Sequence, residues 1–157
     1  MRNQLSILTV CLSLFTFLSC KTTQKTTAGE LVTTMSIKEP VKVGSPVMVT
    51  FTVHNTSSKE LKFLKWHTPF EGFKNSIFEI KNSAGEEVRY KGIMAKRIMP
   101  PPADAYIAVA AGKTISGSID LLTGYDLTVP GKYTILYQSS GISGLEKVKE
   151  STFTITE

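Results

Sequence analysis

Two cysteines, two histidines and a single tryptophan are few for a chain of 157 residues. Both cysteines, Cys11 and Cys20, fall within the first twenty residues, so from Lys21 onward no disulfide can form and no thiol nucleophile exists. His54 and His67 lie apart, and His67 has no second His or Cys at ligand spacing, which argues against a metal site. The His-Glu-x-x-His, Gly-x-Ser-x-Gly and phosphate-loop patterns are all missing. The chain is therefore expected to be no enzyme and to carry no cofactor. Basic residues exceed acidic ones only modestly, 18 to 13 for a net charge of +5, and they are spread along the chain. Without a dense basic run interleaved with aromatics, no nucleic-acid partner is expected. No apolar run reaches the roughly 20 residues that span a bilayer.

The longest apolar run is Leu5 to Leu18, behind the positive Arg2, and its length fits an export signal over residues 1–19. It ends at Phe17-Leu18-Ser19-Cys20, which resembles the lipobox of bacterial lipoproteins, with Phe17 and Leu18 where Leu and a small residue are usual. That resemblance implies acylation of Cys20, a membrane reached through the lipid, and a place in a bacterial cell envelope. Acylation would also account for a sole exported cysteine with no partner. Residues 20–30 are Thr- and Lys-rich with almost nothing to bury, and read as a flexible tether. The remainder, 31–157, is enough for one domain with its own core.

That remainder is patterned as β-structure. Leu31, Thr33, Met35 and Ile37 alternate with polar neighbours up to Glu39-Pro40. Val47, Val49, Phe51 and Val53 alternate with Met48, Thr50, Thr52 and His54, predicting one buried face and a polar one that carries His54. Ile77 to Lys81 is expected to run through a hairpin turn at Asn82-Ser83-Ala84-Gly85 into Val88-Arg89-Tyr90. Tyr106 to Val109, Ile115 to Leu121 (with Gly117 as a candidate bulge), Tyr133 to Tyr137 and Ser151 to Thr156 complete the set. Tyr133 follows Pro130-Gly131, an arrangement similar to the tyrosine corner of immunoglobulin-like sandwiches. With turns every eight to twelve residues and no amphipathic helix, the expected fold is all-β, an immunoglobulin-like antiparallel sandwich of about 8 strands.

Leu61 to Phe73, LKFLKWHTPFEGF, carries the only Trp and three of the eight Phe. Its first half alternates as a strand with side chains on both faces; Pro69 then forces a turn. Trp66 is best read as a core anchor. The loop residues His67, Phe70, Glu71 and Phe73 are either lids on a core or contacts for a partner. A second loop, Gly92 to Asp104, combines Lys96, Arg97 and Asp104 with Ile93, Met94, Ile98, Met99 and a stiff Pro100-Pro101-Pro102 run. These two loops are the candidate partner-binding surface.

Several stretches carry a family resemblance: LKFLKWHTPFEGFKNSIFEI, the Lys96-Arg97 pair with Asp104 to Ile107, AAGKTISGSIDL, GYDL and PGKYTILY. Over roughly Val47 to Tyr137 the chain resembles the propeptide-like, immunoglobulin-like domain found beside the catalytic unit of bacterial deuterolysin-type peptidases, the aspzincins, which include peptidyl-Lys metalloendopeptidases. The zinc-binding catalytic half has no counterpart here. The resemblance implies a non-catalytic domain that binds, and could inhibit, a metallopeptidase through the two loops. An alternative is an envelope-binding module for polysaccharide or protein, in which Trp66, Phe70 and Phe73 form a stacking platform. Ring exposure separates the two.

Overall fold

A computed structural model describes residues 30–157; the expected export signal, Cys20 and nearly all of the expected tether lie outside the described residues. Nine strands are present: β1 (Leu31–Ile37), β2 (Val41–Lys42), β3 (Met48–Asn55), β4 (Leu61–Leu64), β5 (Phe78–Asn82), β6 (Tyr106–Val109), β7 (Thr114–Asp120), β8 (Gly131–Tyr137) and β9 (Ser151–Thr156). They form a three-stranded sheet in the order β1-β3-β7, a four-stranded sheet in the order β2-β9-β8-β5, and a ribbon of β4 with β6. The protein is an all-β sandwich.

The period-2 pattern of β3 explains its central place. Val49, Phe51 and Val53 are fully buried, while Thr50, Thr52 and His54 face outward and meet Ser118, Ser116 and Thr114 of β7 at 2.7, 3.2 and 2.9 Å. Across the sandwich, the Phe51 ring meets the rings of Tyr137 and Phe78 edge-on, with centroids 4.9 and 6.0 Å apart. Every buried side chain of the described residues lies between Thr33 and Ile155. Both sheets contribute side chains to this one core.

All but one of the strand pairings are antiparallel. β2, too short to show in an alternation pattern, adds in parallel to β9, Val41 opposite Ile155. The chain thus passes from one sheet at β1 to the other at β2, and buried Val41 closes the core at that end. The tyrosine corner forms: Tyr133 Oη donates to the Val129 carbonyl at 2.6 Å. A second tyrosine, Tyr125, sits wholly buried in the irregular stretch before β8; its hydroxyl donates to the Phe78 carbonyl at 2.7 Å and accepts from the Phe78 N–H at 2.9 Å.

Two local expectations are corrected. The arm Val88 to Tyr90 is not a strand. After the turn, Val88 N–H still reaches the Ile80 carbonyl, but Lys91 N–H then donates to Gly124 and Asp126 N–H to Arg89, so the arm leaves β5 for residues 124–126. Nor does Gly117 mark a bulge, because β7 pairs with β3 in unbroken register, Gly117 opposite Phe51. The glycine instead makes room for the Phe70 ring, whose Cδ1 lies 2.7 Å from where a β-carbon would stand.

Candidate functional site

The chain between β4 and β5 turns through a tight loop whose first residue is held in an unusual conformation. His67 has φ 59°, a region that non-glycine residues seldom adopt. Three side chains hold it there. Its N–H donates to Glu71 Oε1 at 2.7 Å, its carbonyl accepts from Tyr137 Oη at 2.9 Å, and its ring Nε2 lies 3.2 Å from Asn75 Nδ2. Thr68 completes the turn, its hydroxyl donating to the Lys65 carbonyl at 2.6 Å and accepting from Phe70 N–H at 3.2 Å.

Arg97 reaches this loop from the second one. Its Nη2 lies 2.6 Å from the same Glu71 oxygen, and the side chains are 23% and 7% exposed. Its guanidinium carbon lies 4.8 Å above the Trp66 ring centre. A planar, weakly hydrated cation between a carboxylate and an aromatic face is stable in that setting. Trp66 itself is buried, but against Leu64 and Ala105 in a small cluster separate from the main core. Burial pushes the His67 imidazole below its ordinary value; Glu71 opposes this and Arg97 adds to it. An amide donor on Nε2 suits the same neutral ring.

Beside this cluster opens a groove of about 630 Å³, lined by Phe63, Leu64, Trp66, Met99, Tyr106 and Ile142 with Lys62 and Arg97 as its charged groups. Its far wall is a single helical turn, α1 (Ser140–Ser143). That wall is fixed from below by Tyr137, whose hydroxyl lies 2.7 Å from Ser143 Oγ, which accepts in turn from Leu145 N–H at 3.1 Å. Burial raises the Tyr137 phenol to about 12. Met99, Tyr106 and Ile142 are 72, 43 and 50% exposed, so the groove opens to solvent along an apolar rim.

Of the seven loop residues singled out from sequence, the fold brings together His67, Glu71 and Arg97. Phe70 and Phe73 turn inward. Phe70 packs edge-on against Phe63, centroids 5.2 Å apart, and Phe73 against Tyr125 at 5.4 Å, with its ring over Gly124. With Trp66 buried as well, the three rings form no stacking platform. Lys96 is exposed and outside the cluster, and Asp104 contributes its backbone carbonyl to Lys65 Nζ at 2.8 Å. Sequence reading missed Asn75, Tyr137, Ser143 and Ile142. Only Tyr137 carried a signal, as an inward position with a polar tip that needs a partner.

Comparison with known proteins settles the family. A profile of the immunoglobulin-like domain matches residues 34–139. The chain belongs to the immunoglobulin-like domain family. This immunoglobulin-like domain is 29% identical over 109 residues to an uncharacterized secreted protein of Arthroderma benhamiae, covering 66% of this chain and 56% of that one. It is 32% identical over 92 residues to an extracellular protease of Aeromonas hydrophila, covering 58% of this chain and 25% of the protease. A neutral protease 2 homolog of Arthroderma gypseum is 27% identical over 108 residues, covering 68% and 28%. The chain thus spans about half the length of the first relative and about a quarter of the two proteases.

Proposed function

We propose that this protein is a non-catalytic immunoglobulin-like sandwich of the cell envelope, tethered through lipid on Cys20, that binds a secreted metallopeptidase and holds it inactive. The observation that carries the reading is the groove beside Trp66. It is an open apolar surface whose floor is braced by Arg97, Glu71 and Tyr137, in a domain that also occurs within proteases as about a quarter of their length. A rigid Trp–Arg centre ringed by partly open Met, Tyr and Ile has the composition of a protein-binding hot spot. The secreted relative agrees with an extracellular place. The polysaccharide alternative loses its footing, because the rings it needs are covered.

The test is a titration of residues 30–157 against a neutral protease 2, following peptide cleavage. Stoichiometric loss of activity is expected, weakened at least roughly tenfold by Ile142→Ser with Met99→Ser, since two partly exposed apolar anchors contribute about 1.5 kcal/mol or more between them. Full peptidase activity in large excess of the uncut domain would remove the inhibitor reading.

A further inference from the structure

Between Val88 and Ala103 the chain holds four cations, Arg89, Lys91, Lys96 and Arg97, and no acid. In the same stretch Ile93, Met94 and Ile98 are 58, 70 and 86% exposed, and none of the three lines the groove. They stay outside because the backbone beneath them is pinned. Lys91 N–H donates to the Gly124 carbonyl at 2.8 Å, Tyr90 Oη to the Ile93 carbonyl at 2.8 Å, and Ala95 N–H to the Lys74 carbonyl at 2.7 Å. The last bond brings Lys74 beside the loop. Arg89 and Arg97 are engaged by Asp126 and Glu71, whereas among the described residues Lys74, Lys91 and Lys96 form no ion pair.

A fixed loop that displays long aliphatic side chains between free amines, with no carboxylate, matches the chemistry of a bilayer interface. The aliphatics enter the boundary between headgroups and acyl chains, and the amines meet lipid phosphates. No helix of the described residues is long and apolar enough to cross a membrane. We infer that the loop Lys91–Met99 docks on an anionic phospholipid surface, with Ile93, Met94 and Ile98 inserted and Lys74, Lys91 and Lys96 at the headgroups. This contact requires neither acylation of Cys20 nor the groove. In a lipidated chain it would supply the second of the two signals that stable anchoring takes.

The experiment sediments residues 30–157 with vesicles of phosphatidylcholine alone or mixed with phosphatidylglycerol, at low and high salt. Binding to the mixed vesicles, weakened by salt, is expected. The triple variant Ile93→Ser, Met94→Ser, Ile98→Ser should lose roughly tenfold or more in affinity and keep the salt dependence. Changing Lys74, Lys91 and Lys96 to Gln should cost roughly fivefold per cation and flatten it. Because all these side chains are exposed, the thermal midpoints of the variants should match the parent. The groove variant Ile142→Ser, which lies outside this loop, should still bind vesicles while weakening the peptidase complex, which separates this proposal from the peptidase reading. Failure to bind either vesicle, or equal binding by the triple variant, overturns it. So does relief of peptidase inhibition by the triple variant in a domain that ignores vesicles, which would make the loop a protein contact.

Discussion

The Phe70 and Phe73 rings pack onto Gly117 and Gly124, each in space that a β-carbon would occupy. A methyl group at Gly117 would meet the Phe70 ring at 2.7 Å. The ring cannot retreat freely, since it packs edge-on against buried Phe63. Gly117→Ala is therefore expected to destabilise the fold by about 1–3 kcal/mol, the usual cost of overpacking, although alanine suits a strand better than glycine does. A denaturant midpoint measured for Gly117→Ala, Phe70→Leu and the double variant checks this. The double variant should be less destabilised than the two single changes predict together. A neutral or stabilising Gly117→Ala would mean that the ring is loose.

At the scale of elements, one residue of β8 joins three parts that are far apart in sequence. Tyr137 Oη donates to the His67 carbonyl in the β4–β5 loop and lies 2.7 Å from Ser143 Oγ in α1, while its ring packs on Phe51 of the opposite sheet. Tyr137→Phe keeps the ring and removes the hydroxyl. A loss of about 1–3 kcal/mol is expected from the orphaned partners. The loss should be local, with faster amide exchange at Thr68–Glu71 and Ser143–Leu145 and little change in β3 or β9. Uniform acceleration across both sheets would show instead that the hydroxyl supports the whole core. Tyr133 does comparable work at the other end of β8, but its bond stays within five residues and closes only its own corner.

For the whole molecule, His67 ties stability to pH. Its imidazole titrates below its ordinary value of 6.5 in the folded state, chiefly because burial disfavours the cation. The unfolded chain therefore takes up this proton first as the pH falls. The contribution is complete above about 6.5 and is lost progressively as the pH drops from there towards the folded value. Thermal midpoints should decline over that window, and His67→Asn, which tolerates the same backbone conformation, should remove the part of the decline that starts near 6.5. A profile unchanged by the substitution would exclude His67 as its source.

How much of this was legible in advance depended on the range of the interactions involved. Period-2 alternation was sufficient for the sandwich, for strands such as β1, β3, β4, β7 and β8, and for the inward side of Val49, Phe51 and Val53, because which face a strand residue occupies is set by its immediate neighbours. The tyrosine corner was legible for the same reason, its bond spanning Val129 to Tyr133. His67, Glu71 and Arg97 could be nominated from two loops rich in unusual side chains, but not joined. What only the tertiary structure decided is which distant residues meet: Arg97 on Trp66, Phe70 on Gly117, Tyr137 under both the His67 loop and α1, and Val41 beside Ile155. Those contacts follow from strand order and from where each loop crosses the end of a sheet, and a local pattern of apolar and polar residues carries no record of either.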